Sequence, residues 1–357
     1  MKPFEPRCLP AAVGSFPHLH PYDVVDLILR ELPEIPLWPQ LPNTDYLESM
    51  YIQYSYGMPF LQLDAEKRRV HMHIAGDIYG DLEKFYTKVL EEDLPYFGIP
   101  PHHARGFEAF VDVLWRAKPK SVKWVKGQIT GPVSFGLMIT DQKKRAILYN
   151  EEVFDTVVKT LTLKARWQIQ QLKRLHPDVI IFIDEPYLSS FGSAFINLTR
   201  EQVLLYLGEV IDAVHQEGAL AGIHCCGNTD WSLVMDTETD IVNFDAYEYF
   251  QGMTLYIDNL NNYLNRGGVL AWGIIPTSDK IKDETDKSLR DKFFDRVDDL
   301  ENRGVPRDLL LNQSLITPSC GMGTMKYSLA EEVLHKLAET SKIVRKKLPA
   351  RNCKKAG

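Results

Sequence analysis

The residues most able to do chemistry stand together in Gly222-Ile223-His224-Cys225-Cys226-Gly227-Asn228. An apolar run, Ala219-Leu220-Ala221, leads into them, and glycine and asparagine follow, as suits a strand that ends in a tight turn. Side chains alternate faces along a strand, so His224 and Cys226 point one way and Cys225 the other. An imidazole and a thiolate aimed at one point make half of a tetrahedral zinc site.

Candidates for the other half follow two later apolar runs. Glu248 comes shortly after Ile241-Val242-Asn243-Phe244, and Cys320 after Leu309-Leu310-Leu311. Taken singly, a cysteine is a small buried hydrophobe and a glutamate a solvated charge. Four ligand types at successive strand ends favour zinc. Two thiolates, a carboxylate and a neutral imidazole around Zn²⁺ carry a formal charge of about −1, a poor setting for making hydroxide. The same setting suits a substrate thiol, because a metal-bound thiol is deprotonated outright while a free one is mostly protonated at neutral pH. The chemistry expected is activation of a thiol for alkyl transfer. A structural zinc is the competing reading, but such sites favour close cysteine pairs and rarely use carboxylate.

Three further residues end strand-like runs. Asp184 and Glu185 follow Val179-Ile180-Ile181-Phe182-Ile183, and one of the two is expected at the mouth of the fold, where a carboxylate can hold an ammonium group. The alternative is a carboxylate that caps a neighbouring loop. Ser15, in Val13-Gly14-Ser15-Phe16-Pro17, is placed to bind a substrate carboxylate or amine together with backbone amides. It lacks the glycine-flanked elbow of a nucleophilic serine. Gly321-Met322-Gly323 lacks the other positions of a phosphate loop and reads as a turn after Cys320. His18, His20, His71, His73, His102 and His103 are acid–base candidates that the sequence alone does not rank.

These residues need a scaffold. Helical periodicity fits residues 21–32, 80–92, 106–117, 151–175, 201–217, 256–265, 288–303 and 329–347, with strand-like runs between most of them. Alternating strand and helix, with polar residues gathered after the strands, predicts an α/β fold with a parallel sheet. The first strand has no glycine-rich phosphate loop, and chemistry spread over many strand ends marks a (β/α)8 barrel. No linker divides residues 1–357, so one barrel domain is expected. Residues 33–63 are the exception: Pro33, Pro36, Pro39, Pro42 and Pro59 exclude a long regular element, and Trp38 and five further aromatics crowd among them. They read as a Pro- and aromatic-rich insertion, either over a pocket or as a satellite core. Residues 68–75 read as a strand or an excursion hairpin.

The 357 residues are 45% hydrophobic and 25% charged with a net charge of −7, ordinary for a soluble globular protein. This gives nucleic acid or a membrane surface no electrostatic attraction. Lys346, Lys347, Arg351, Lys354 and Lys355 form a basic tail, read as a solvated terminus. Five cysteines, two adjacent, do not look like a disulfide framework. With no apolar signal segment at the start and no run of about 20 apolar residues, a cytoplasmic location is expected.

The motif set resembles the C-terminal catalytic barrel of the cobalamin-independent methionine synthase family, within the superfamily that includes uroporphyrinogen decarboxylase. The matching pieces are Val13-Gly14-Ser15-Phe16-Pro17, Ile129-Thr130-Gly131-Pro132-Val133, Ile183-Asp184-Glu185-Pro186, His224-Cys225-Cys226-Gly227-Asn228, Glu248 and Ser319-Cys320-Gly321. The resemblance implies a catalytic zinc on His224, Cys226, Glu248 and Cys320, with Glu248 at the family's spacing of 24 residues after His224. It also implies that Ser15 and Asp184 hold the amino-acid part of homocysteine. Two family features are missing. No tryptophan for stacking a pterin follows Thr130-Gly131-Pro132, and Ile274-Ile275-Pro276-Thr277-Ser278 stands where the family has Asp-x-His. The chain also has no room for the family's second barrel.

The expected activity is therefore zinc-dependent methylation of homocysteine to methionine. Asp184 is the catalytic carboxylate, and Ser15, Asp184 and Glu185 are the substrate-binding candidates. The missing folate contacts, with the short single-barrel form, imply a donor that is methylcobalamin or a methylated corrinoid protein rather than methyltetrahydrofolate. Residues 33–63 then become a possible docking face for that donor. Two alternatives are methyl transfer to another thiol such as coenzyme M and, in a different class, a non-catalytic zinc- or corrinoid-binding barrel. Porphyrinogen decarboxylation needs no His/Cys/Glu/Cys set.

Overall fold

The protein is seen here in a computed structural model that describes residues 4–194 and 196–350; Arg351, Lys354 and Lys355 of the basic tail lie outside them. Seven parallel strands form one sheet: β1 (Leu9–Pro10), β4 (Val125–Thr130), β5 (Val179–Asp184), β6 (Leu220–Cys225), β7 (Ile241–Phe244), β8 (Val269–Ile275) and β9 (Ser314–Pro318). Their order is β1-β9-β8-β7-β6-β5-β4. Two further strands, β2 (Leu61–Asp64) and β3 (Arg69–Met72), pair with each other as an antiparallel hairpin outside that sheet. Every residue of β5, β6 and β8 is buried, as expected of parallel strands covered on both faces.

The prolines between β1 and β4 hide an eighth stave. Trp38 N–H donates to Lys126 O (3.3 Å) and Lys126 N–H to Pro36 O (2.9 Å), while Gln40 N–H donates to Gly14 O (3.0 Å) and Phe16 N–H to Gln40 O (2.9 Å). Leu37 and Gln40 thus make isolated parallel bridges to β4 and to the end of β1. Pro36 and Pro39 have no N–H, so this stretch cannot form a regular ladder. It joins the two edges of the sheet and closes the ring. The first part of the expected insertion is therefore barrel wall. Only the later part, with a 3-10 turn Tyr46–Glu48 and a short helix Met50–Ser55, is additional to it.

Ile35 supports the closed ring from inside. It packs in one apolar cluster with Leu9, Ile180, Phe182, Ala271 and Leu315, side chains from around the sheet. Burying such a side chain stabilises by about 1.5–3 kcal/mol, and the cluster fills the lumen below the strand ends. The larger core lies between the strands and the surrounding helices, among them Pro21–Glu31, Glu151–Lys173, Arg200–Gln216, Asp286–Asn302 and Tyr327–Lys346.

One expected strand is displaced. Leu309-Leu310-Leu311 lies in a short helix, Arg307–Asn312, and the strand that carries Cys320 begins at Ser314. Two apolar contacts on one helical turn give the same short run as a buried strand, and β9 itself mixes Ser314 and Thr317 with its apolar residues.

Candidate active site

The sheet register sets the site. Asp184 on β5 pairs with His224 on β6, and His224 with Asn243 on β7, so three polar side chains stand abreast at the carboxyl ends of three strands. Asn243 Nδ2 donates to Ala271 O and Thr317 Oγ1 (2.8 Å each), which turns its carbonyl oxygen towards the histidine. His224 Nδ1 lies 2.6 Å from that oxygen, so Nδ1 carries the proton. Nε2 is left as a buried lone pair without a hydrogen-bond partner.

His224, Cys226 and Cys320 come together with their ligand atoms all within 4.8 Å of one another. Alternation along β6 works as expected, since Cys225 is buried on the opposite face, with its thiol pushed up to about 12 by burial. Cys226 is held down at about 4, first by the Cys320 thiol and then by the His224 ring. Burial of a thiolate beside an imidazole lone pair is costly unless a cation joins them. The donor set, N with two S, and the orphaned Nε2 fit zinc.

Glu248 does not join this group. Its side chain is exposed and lies 2.6 Å from Lys280 Nζ. β7 ends at Phe244, and Asp245, the next residue, accepts the N–H groups of Tyr247 (2.9 Å) and Glu248 (2.8 Å) at Oδ1. That turn carries Glu248 out of the mouth. Asp245 itself is buried, with its carboxyl pushed up to about 6 by burial, to which the Cys226 charge adds. Among the described residues no carboxylate completes the group of three.

Asp184 and Glu185 part company. Asp184 lines the cavity in front of the thiols; Oδ1 is buried without a partner, and burial pushes its carboxyl up to about 6, opposed by the nearby His224 ring and Lys126. Glu185 is fully buried behind the strand, not in the cavity. It accepts Val133 N–H (2.9 Å), Ser134 N–H (2.8 Å) and Ser134 Oγ–H (2.6 Å) at the start of the helix Pro132–Met138. Glu185 is thus the loop cap, and of the two acids only Asp184 lines the cavity. A Cβ on Gly131 would lie 2.1 Å from Glu185 Oε1, which explains the glycine of Thr-Gly-Pro.

Ser15 also lines the cavity. Its Oγ accepts Gly323 N–H (3.2 Å), and its carbonyl accepts Met322 N–H (2.8 Å), which ties the end of β1 to the loop after Cys320. Gly321 is required there, since a Cβ would lie 2.2 Å from Ser15 Oγ. With one lone pair engaged, the hydroxyl proton remains free to point into the cavity.

Glu48 is the functional candidate that the motifs did not disclose. It is completely buried in the wall of the same cavity; Oε1 accepts Thr44 Oγ–H (2.8 Å), and Oε2 has no partner. Burial pushes its carboxyl upward, against Thr44 and the nearby Arg105. The one local signal is an acid four residues after a threonine in an aromatic, proline-rich stretch. The cavity holds about 290 Å³, room for a small amino acid.

No family model matches the chain. A curated methionine synthase of Methanocaldococcus jannaschii is 22% identical over 307 residues, 83% of this chain and 91% of that protein. Among solved structures, a B12-independent methionine synthase from Shewanella sp. W3-18-1, in complex with selenomethionine, superposes with a TM-score of 0.55. That match is 13% identical and covers 95% of this chain and 98% of the other. The fold is an α/β barrel, and the similarity to methionine synthases indicates an enzyme of the methyltransferase class. The chain is thus similar to methionine synthases in sequence and in fold, the family that the motifs resemble. No helix among the described residues is long and apolar enough to cross a membrane.

Proposed function

We propose that this single barrel methylates the thiol of homocysteine to give methionine, with a zinc ion held by His224, Cys226 and Cys320. The observation that carries the reading is one small cavity in which an unpartnered imidazole nitrogen and two thiols face two unpartnered carboxylate oxygens, on Asp184 and Glu48. Zinc, when bound, supplies the positive charge that keeps a substrate thiol as thiolate. Asp184 Oδ1 and Glu48 Oε2 accept hydrogen bonds from the substrate ammonium, whose charge offsets the cost of burying both acids. Ser15 donates its hydroxyl proton to the substrate carboxylate. Held at both polar ends, the substrate presents its sulfur to the open mouth, and positioning of this kind supplies much of the acceleration. Thiolate ligands require reduced cysteines, which accords with a cytoplasmic location.

The comparisons give the expected corrinoid donor no support, since the solved neighbour is described as B12-independent. A specific observation keeps it as a second reading of the donor. The helix Pro132–Met138 offers no tryptophan at the mouth, and the strand β8 leads into Pro276-Thr277-Ser278 without an Asp-x-His.

The test is methionine formation by the zinc-loaded protein from homocysteine with methylcobalamin or methyltetrahydrofolate, with Cys226→Ser as control. Turnover with either donor that the variant lacks establishes the activity and identifies the donor. No methionine with either, at stoichiometric zinc, overturns the reading.

A further inference from the structure

The residues that line the thiol cavity include two acids and two thiols but no lysine or arginine. A substrate carboxylate that meets Ser15 there is buried against a hydroxyl with no countercharge in the wall, and a buried charge is costly unless it is paired. A cation lies just beneath the floor. Lys126, on β4, is completely buried in the lumen of the barrel, its Nζ 4.1 Å from the centroid of the Phe182 ring. Phe182 belongs to the apolar cluster that fills the lumen. The Lys126 Nζ donates to Val13 O and lies 3.5 Å from Gln128 Oε1, and among the described residues it makes no ion pair. Burial pushes its pKa well down, and the Asp184 charge offsets this only in part. A lysine is almost never fully buried without an anionic partner, so this one calls for an anion that the folded chain does not itself supply.

The floor between this ammonium and the cavity is bare backbone. Val13, whose carbonyl Lys126 holds, lines the cavity, and Ser15 follows two residues on. Gly14 between them has no side chain to fill the gap, since a Cβ there would lie 3.0 Å from Gln40 Oε1 and 3.1 Å from Gln128 Cδ. The lysine is itself held in place, because its backbone makes the bonds to Pro36 and Trp38 that close the ring. With a substrate ammonium on Asp184 and Glu48, the opposite end of the zwitterion falls over Val13 and Ser15, above the buried cation.

Building on the activity proposed above, we propose that Lys126 is a positioning residue for the substrate carboxylate: its buried ammonium supplies, through the Val13–Ser15 backbone, the positive charge against which that carboxylate binds. The site thereby selects thiols that carry a carboxylate, although no cation lines it.

The experiment measures methyl transfer to homocysteine, 3-mercaptopropionate and cysteamine by the wild type, Lys126→Gln and Lys126→Met. Glutamine removes the charge and keeps a donor for Val13 O, whereas methionine removes both. Each variant should raise KM for the two thiols with a carboxylate by about tenfold or more, the worth of one charge at several ångströms in a buried setting. Each should leave kcat, and KM for cysteamine, unchanged, because the contact is made equally in ground and transition states. A merely structural lysine would alter all three thiols alike, and that result, or no change, overturns the proposal. A rise in Lys126→Met that Lys126→Gln lacks would assign the effect to the hydrogen bond and also overturns it. Circular dichroism monitors the fold, and if Lys126→Met does not fold, Lys126→Gln decides alone. If the wild type turns over no thiol, the activity reading fails by itself. Calorimetry with methionine and with 3-(methylthio)propylamine, its analogue without the carboxylate, then decides the role of Lys126. Weaker methionine binding in Lys126→Gln with the amine unaffected sustains it, while unaltered or absent methionine binding overturns it.

Discussion

The proton of His224 Nδ1 is held by Asn243 Oδ1 at 2.6 Å, and this contact makes Nε2 the nitrogen available to the thiols. Asn243 is itself clamped by Ala271 O and Thr317 Oγ1, so the tautomer is set by β7, β8 and β9 together. Replacement of Asn243 by leucine should free the ring and weaken zinc binding by about 10- to 100-fold. Competition with a chromophoric chelator measures this, with far-UV circular dichroism to show that the fold persists.

The ligand set can be counted directly. Cys320→Ser should lose tight zinc, whereas Glu248→Gln should keep wild-type affinity and stoichiometry, because Glu248 faces solvent on Lys280. Metal analysis after gel filtration checks both. Loss of zinc from Glu248→Gln would show that its loop swings inward when the ion binds.

In the function proposed above, Asp184 and Glu48 hold the ammonium group. Asp184→Asn or Glu48→Gln should each lower kcat/KM for homocysteine by about 10- to 100-fold, the worth of one hydrogen bond to a charged group. A thiol with no amino group, such as 3-mercaptopropionate, should be insensitive to either change. Steady-state kinetics with the two thiols separates the outcomes.

Gly131 and Glu185 share one tight contact. Gly131→Ala would force its methyl onto Glu185 Oε1, one oxygen of a carboxylate that three donors hold in place. Overpacking of this kind costs about 1–3 kcal/mol and should lower the urea midpoint. Glu185→Gln should also destabilise, while leaving KM for homocysteine unchanged, since Glu185 does not reach the cavity.

His103 predicts a pH effect on stability. Its ring is almost fully covered, Nδ1 has no partner, and burial, helped by His102 and Lys164, pushes its pKa down to about 4. The unfolded chain binds a proton near pH 6.5 and the folded one only near 4, so stability is lost as pH falls between those values. From pH 7.5 to 5.5 the wild type should lose about 1 kcal/mol more than His103→Gln. Denaturant titrations at the two pH values measure the difference.

The sequence by itself determined what depends on local periodicity. Strand alternation put His224 and Cys226 on one face and Cys225 on the other, and the continuous apolar run Val179-Ile180-Ile181-Phe182-Ile183 marked β5 as a strand. The motif pieces also carried the resemblance to methionine synthases. Tertiary structure decided whatever depends on where loops run. It turned Glu248 outward through the Asp245 turn, drew Glu185 under a helix start, and made a proline-broken stretch the closing stave of the barrel. It also placed Glu48 in the wall of the same cavity as Asp184, although 136 residues separate them. Backbone stereochemistry repeats every two or 3.6 residues and so can be read along the chain. Convergence of distant loops is set by non-local packing and hydrogen bonding, for which a linear sequence carries no period.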